Sequence, residues 1–407
     1  MLSFVMRVMA MALIILTAAS AMADDSAIEA RLSKLEQEVN ALRRENEQLR
    51  RDLGVEVVAR QSGVKIAGKE EALQFGGLVQ VQSEAGDTGD ARFSDGNDRL
   101  YLRRARINAT GRFLEEFNFR AELELAGSLA NATGLRAQLT DAYINWNRFD
   151  SANVRVGQFK TPFGFEQLYQ DSQLTFAERS LASDRLTPGR QLGAQVGGEY
   201  WFDRFNWTVG VFNGNGINQN FNDNDHFLEM GRVSVAPVSG RYFDQPSRWT
   251  VGIDSFRSRD ANVSVTPEFG IDSSPTSAAK DNLFAGVRRG IGYDSQVQFG
   301  PVEAWGEYLQ VTFDPADRLP LRHLKSNGWS GQLSAFVIEN KLQLAARRDR
   351  FDPNTNTGHN ETSTTTLGAN WYFKQNDIKL QLDWLRSDVP GVTKAQQKWI
   401  ARLQTVF

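Results

Sequence analysis

The chain has 407 residues, 46 of them basic and 49 acidic, with no cysteine and a mean hydropathy of -0.42. That average is too polar for a bundle of membrane-spanning helices, each of which needs ~20 apolar residues. The absence of cysteine excludes disulfides and thiolate zinc sites, and a net charge of -3 argues against a general nucleic-acid binder. Length alone suggests two or three globular domains, while 34 Gly, 26 Phe and 9 Trp point to a β-rich chain.

Residues 1–23 read as a secretory signal peptide. Arg7 precedes an apolar stretch from Val8 to Ala19, which ends at the small residues Ala21-Met22-Ala23. The stretch is too short for a spanning helix, which needs ~20 residues. Residues 24–53 form an arm with a strict heptad. Ile28, Leu35, Leu42 and Leu49 fall at d; Leu32, Val39, Asn46 and Leu53 fall at a. An unbroken spacing of 4 and 3 predicts a left-handed coiled coil. In a parallel homo-oligomer the facing pairs are Arg31–Glu36, Glu38–Arg43 and Glu45–Arg50, all attractive. Asn46 at an a position would fix the register. The heptad leaves dimer and trimer open, as well as a single amphipathic helix lying on its own domain. Residues 54–72 carry no sustained pattern and read as a linker.

From Leu73 onward the period changes to two. Phe117, Phe119, Ala121, Leu123 and Leu125 form one face of a strand; Glu116, Asn118, Arg120, Glu122 and Glu124 form the other. Ile378, Leu380 and Leu382 alternate with Lys379, Gln381 and Asp383 in the same way. Such segments start near Leu73, Arg99, Glu116, Leu135, Asn153, Gln191, Phe205, Phe227, Arg248, Asn282, Pro301, Gly328, Lys341, Glu361, Asp377 and Gln396. The phase slips near Arg103 and around Thr140–Ala142. Connections alternate between short ones, as at Asn340, and long polar ones, as at Asp260–Lys280.

Two all-β architectures use this pattern. A soluble sandwich or propeller would bury the apolar face; a transmembrane barrel would turn it to lipid and keep the polar face in a watery lumen. Charged polar faces, alternating connection lengths and a last strand with Trp399, Ala401, Leu403, Thr405 and Phe407 on one face favour the barrel. That terminal aromatic strand resembles the signal by which bacterial outer-membrane proteins are recognised for insertion. The expected fold is a 16-stranded antiparallel transmembrane β-barrel over residues 73–407, with an N-terminal coiled-coil helix.

The most specific text lies in residues 152–202. Gly157-Gln158-Phe159-Lys160 runs into Pro162-Phe163-Gly164-Phe165-Glu166, followed by Thr175-Phe176-Ala177-Glu178-Arg179-Ser180 and Arg190-Gln191-Leu192-Gly193. These motifs, with Leu102-Arg103-Arg104 and the terminal Phe407, resemble the phosphate-selective porin family. The resemblance implies a homotrimer in the bacterial outer membrane, in contact with its lipid, passing small anions such as phosphate without a cofactor. It also implies a third loop, here residues 160–190, folded into the pore. A connection of about 30 residues without regular structure is in any case usually functional. Folded inward, it would bring Phe163, Phe165, Glu166, Asp171, Glu178, Arg179 and Arg185 to the constriction. Candidate bases on the pore wall are Arg104, Arg106, Arg120, Arg136 and Arg155, since wall charges set permeation.

The sequence departs from the resemblance at one point. The family pattern implies a lysine ahead of Glu178-Arg179-Ser180, yet Phe165–Ala177 contains neither Lys nor Arg and carries Glu166 and Asp171. A non-selective porin therefore stays open, as does an envelope tether that uses the coiled coil in the periplasm. An outer-membrane hydrolase is disfavoured: only His226, His323 and His359 are available, and neither G-x-S-x-G nor H-E-x-x-H occurs. The run Asn213–Asp225 is rich in oxygen ligands but lacks the spacing of a calcium-binding EF-hand loop, so no metal is expected.

Overall fold

The computed structural model describes residues 31, 33–42, 56–60, 63–67, 72–90, 92–93, 98–126, 137–149, 151–271, 282–316 and 323–407. The signal peptide, the heptad residues Ile28, Leu32, Asn46, Leu49 and Leu53, and Arg136 lie outside the described residues. Residues 33–42 are helical, and Leu35, Val39 and Leu42 are exposed along that helix. The coiled coil itself requires a second chain.

Within the stretch read as a linker, β1 (Glu56–Arg60) and β2 (Gly63–Ala67) form an antiparallel hairpin. Sixteen longer strands follow, from β3 (Ala72–Gly86) to β18 (Gln396–Val406). Each pairs antiparallel with the next in sequence, and β18 pairs back onto β3, closing a barrel. All sixteen strand starts expected from the alternation fall within a few residues of those observed; Gly328, for example, lies four residues inside β14 (Leu324–Ile338). The length that suggested two or three globular domains is taken up by one barrel.

Each face follows from the alternation. On β17 (Ile378–Asp388), Ile378, Leu380 and Leu382 are 39%, 41% and 45% exposed, while Lys379, Gln381 and Asp383 are 0%, 1% and 1% exposed. The buried side is polar and the exposed side apolar, the reverse of a water-soluble sheet. Such a wall is stable only with hydrocarbon outside and water or polar partners within. Short turns, as at Phe243-Asp244, lie at one end, and long connections, as at 213–227, at the other. By the general rule for such barrels the short turns are periplasmic and the long loops extracellular.

Both phase slips are β-bulges. Val81 pairs with Leu102 and Gln80 with Arg104, leaving Arg103 as the extra residue. Glu122 pairs with Asp141 and Leu123 with Leu139, leaving Thr140 extra. A bulge re-aims side chains locally. Here it lets the adjacent Arg103 and Arg104 both turn inward, where a regular strand would send one of them to lipid.

The seam is set at Gly77 on β3. Gly77 donates its N–H to the carbonyl of Phe407 (2.7 Å), and Phe407 N–H returns the bond to Gly77 (3.1 Å). Below this point β2 takes over the same edge of β3, pairing Val64 with Phe75 and Ala67 with Ala72. The hairpin thus continues the ladder where the C-terminal strand stops.

The lumen holds an apolar cluster that the alternation does not announce. Phe212, Phe256, Phe284, Leu309, Val311, Phe313 and Phe351 turn inward towards the extracellular mouth and pack around Phe163, Leu181, Ala182 and Leu186 of the third loop.

Candidate functional site

The third loop, residues 161–189, joins β7 (Ala152–Lys160) to β8 (Arg190–Tyr200). Its ends are pinned together, with Thr161 N–H donating to the Gly189 carbonyl at 2.9 Å. Gly164 opens the loop at φ 84°, and a Cβ there would meet Thr187 Cγ2 at 2.6 Å, so the entry and exit strands of the loop touch through this glycine. Two short helices follow, Phe165–Leu168 and Leu181–Leu186; Ser180 caps the second by accepting from Ser183 N–H at 3.2 Å.

The loop crosses the lumen. Its main chain is held by Gln80 on β3 (to Asp171 O, 3.3 Å), by Asn370 on β16 (Thr362–Lys374; to Thr175 O, 2.8 Å) and by Lys379 on β17 (to Leu174 O, 2.8 Å). Its Gly164 and Ala177 N–H groups donate to Asp254 on β11 (Gln245–Ser264; 3.3 Å) and Asp383 on β17 (2.7 Å). Only a segment inside the ring reaches strands on opposite sides of a closed wall.

Two loop carboxylates are the main anchors. Asp171 accepts from Arg106 Nη1 and Arg179 Nη1, both at 2.6 Å, and pairs with Arg104 at 3.3 Å. Glu178 accepts from Arg103 Nε at 2.7 Å and Arg402 Nη2 at 2.5 Å; Arg402 also donates to the Ala177 carbonyl. Burial alone would raise the Asp171 carboxyl, but Arg104, Arg179 and Arg106 outweigh it and hold the group well below the usual carboxylate range. Burial opposes ionisation of Glu178 too, and Arg103 and Arg402 likewise keep it well below that range. Both are therefore fixed negative charges, each locked among guanidiniums. Glu166 is a third anchor. It accepts from Ser180 Oγ at 2.6 Å and from Arg347 Nη1 at 3.2 Å.

The other expected loop residues sit as follows. Phe163 packs edge-on against Phe256 (4.8 Å), and Phe165 against Trp305 (5.6 Å). Arg179 also donates to the Tyr169 carbonyl at 2.8 Å. Arg185 pairs with Asp184 (2.8 Å) and with Glu268 of a neighbouring outer loop (2.7 Å). Arg104 and Arg106 are buried against the loop and tie it to the wall. Gln80, Gln82, Arg103, Arg347, Lys379 and Arg402 do the same and were not among the expected residues. For all but Arg103, which stands in the Leu102-Arg103-Arg104 motif at a slip of phase, the only sequence signal was their place on the polar phase of their strands.

Two open cavities flank the loop. The first, of 240 Å³, is lined by Arg106, Arg120, Arg155, Lys160 and Arg190 together with Glu122, Asp141 and Asp171. The second, of 290 Å³, is lined by Glu166, Glu303, Gln173, Gln332, Gln343 and aromatic rings. In the first, Arg120 pairs with Glu122 (2.5 Å), Arg190 with Asp141 (2.8 Å) and Arg106 with Asp171 (2.6 Å). Lys160 donates to the Gln167 (2.8 Å) and Tyr169 (2.5 Å) carbonyls. Arg155 differs. Its guanidinium lies 4.5 Å over the Tyr143 ring and 5.4 Å from the Phe159 ring, its Nε has no hydrogen-bond partner, and it makes no ion pair among the described residues.

A closed 16-stranded barrel that is apolar outside, polar within and narrowed by an inward-folded third loop has the architecture of an outer-membrane porin, a channel. The model of the family "phosphate-selective porin O and P" matches residues 75–407, and the chain belongs to that family. It is 21% identical to Porin O of Pseudomonas aeruginosa over 373 residues, which cover 84% of this chain and 81% of that protein. Among solved structures it resembles the anion-selective porin of Comamonas acidovorans (TM-score 0.56, 15% identity, 83% of this chain and 100% of that one). It also resembles a trimeric form of in-vitro folded OmpT from Vibrio cholerae (TM-score 0.53, 11% identity, 83% of this chain and 100% of that one).

Proposed function

We propose that the channel passes small hydrophilic anions of phosphate size and that Arg155 is the base that meets them. One observation carries this reading. Within the 240 Å³ cavity the other guanidiniums already face a carboxylate, and Arg155 faces only aromatic rings. Stacking positions the cation without neutralising it, and its donors stay free for a passing anion. The family description and the anion-selective relative support the same direction. Phosphate itself is one candidate solute among several.

Single-channel recording in a salt gradient tests this. The wild type should show an anion-preferring reversal potential, and Arg155→Glu should move it towards cation preference while leaving the loop anchored. A cation-preferring wild type, or a potential unmoved by the substitution, would refute the assignment. The second cavity, lined by Glu166, Glu303 and amides, favours weak over strict selectivity.

The arm is proposed as a parallel coiled coil on the periplasmic side, joining three barrels. Its support is the exposed stripe of Leu35, Val39 and Leu42 and the attractive flanking charges. Because the chain has no cysteine, a single one reports on pairing. Leu42→Cys, at a d position, should form an interchain disulfide under mild oxidation; Gln37→Cys, on the outer face of the heptad, should not. Equal cross-linking of the two would count against the paired arm, as would none from either.

A further inference from the structure

The outer wall of the barrel has two unlike halves near its extracellular rim. On β3 to β9 (Phe205–Phe212) the outward side chains near the loops are apolar, among them Leu100, Leu102, Leu123, Leu139, Val156 and Val211. Bases in the outer part of these strands turn inward, as Arg99 does to Glu84 and Arg103 to Glu178. On β11 to β17 several arginines turn outward instead. Arg257 and Arg259 alternate with buried Phe256, Ser258 and Asp260; Arg348 and Arg350 alternate with buried Arg347, Asp349 and Phe351; Arg386 lies between buried Leu385 and Ser387. Arg289 adds a further exposed guanidinium beside Arg257, its register partner. All six lie within a few residues of the extracellular loops.

Outward arginines on the lipid side of a barrel wall are costly unless an anion meets them, although the cost falls near the interface. Acidic neighbours answer only part of this charge. Asp314 pairs with Arg289; Glu361 lies 3.4 Å from Arg350 and Asp388 3.9 Å from Arg348; Glu229 faces Arg257 in register. Arg259 and Arg386 make no ion pair among the described residues. A row of outward aromatics, Tyr293, Tyr308 and Trp329, is paired across β12 (Leu283–Phe299), β13 (Val302–Pro315) and β14, and the same row ends at Arg350. Aromatic rings of this kind mark the boundary between hydrocarbon and head groups.

We propose that this arginine belt on β11–β17 binds the phosphate groups of anionic glycolipids in the outer leaflet, and that the apolar half on β3–β9 is left free of them. The planar guanidinium suits phosphate through paired donors. The restriction to one half follows from the absence, among the described residues, of outward bases in the extracellular part of the other.

The test uses the full chain in detergent micelles and bis-phosphorylated lipid A as the probe, with retention followed by native mass spectrometry. Wild type should retain lipid A, and a variant carrying Arg257→Gln, Arg350→Gln and Arg386→Gln should bind on the order of tenfold or more weakly. The matching triple Lys variant should recover part of the binding, because it restores the charge without the paired donors. Unchanged conductance in both variants shows that the barrel is folded. Equal retention by wild type and the Gln variant would overturn the proposal. So would equal retention of phosphorylated and dephosphorylated lipid A by wild type. A Gln variant that changes oligomeric mass but keeps its lipid affinity would also overturn it, and would identify the belt as a contact between copies of this chain.

Discussion

Replacing Asp171 with alanine is expected to release the constriction. Three guanidiniums converge on this carboxylate: Arg106 and Arg179 at 2.6 Å and Arg104 at 3.3 Å. All are largely buried, and removing one partner of a buried ionic cluster typically costs about 3–5 kcal/mol, because the remaining charges stay buried without compensation. Arg106 retains Glu124 at 2.7 Å, but the Arg104 and Arg179 side chains keep no other carboxylate within ion-pair distance among the described residues. The loop segment around 169–173 should leave the wall formed by β3 and β4 (Arg99–Phe113), so single-channel conductance should rise and anion preference should increase with the lost negative charge. Asp171→Asn should behave similarly, since it keeps the shape and removes the charge. Adding Arg104→Ala to Asp171→Ala should restore part of the lost stability. A conductance equal to wild type in both single variants would show that Asp171 does not hold the loop.

The second large effect is expected at the seam. A Cβ on Gly77 would lie 2.5 Å from Phe407 Cζ and 2.9 Å from the Arg106 carbonyl oxygen. The ring could swing away, but the backbone oxygen cannot, and overpacking of this kind costs typically about 1–3 kcal/mol. Gly77→Val should therefore reduce the fraction of chains that reach the heat-resistant barrel form on a gel. Phe407→Ala in the same chain should return part of it by removing the ring. Wild-type recovery of Gly77→Val would mean that the seam tolerates the side chain and that the ring is not what closes it.

Much of the fold was legible because alternation in a barrel wall is a solvation rule and not a preference of the backbone. One face meets hydrocarbon over the full height, so strands such as β5 (Phe117–Glu124) and β17 announce themselves. The slips near Arg103 and Thr140 were visible as defects in phase, but not their outcome, that a bulge brings Arg103 and Arg104 to the same side. The β1–β2 hairpin was missed although Val57-Val58 and Val64-Ile66 are β-branched and Gln61-Ser62-Gly63 between them suits a turn. The apolar cluster at the mouth escaped because Leu309, Val311 and Phe313 sit on the phase that elsewhere is polar. At the site, the loop itself was readable from its length and composition. Its anchors were not. Alternation says that Arg347, Lys379 and Arg402 point inward; it does not say which of many inward groups the loop will meet. Nor could Arg104 and Arg106 be told from Arg155, since ion pairing with Asp171 is decided by proximity across 65 or more positions of chain.

The closing pair between β3 and β18 also governs how such a chain assembles. Each of the other wall pairings joins strands that follow one another, so hairpins can zip up locally. The last ladder must bring residues 78–86 to 398–406, and Gln80 bonds Gln404 across 324 positions. Contacts of this separation form slowly, because the chain must be gathered before any of them repays the lost freedom. Until then the sheet presents two raw edges, each able to capture a strand from another molecule. Ring closure is the kinetic bottleneck that follows from this topology, and a few glycines next to a terminal phenylalanine mark the register at which it must end.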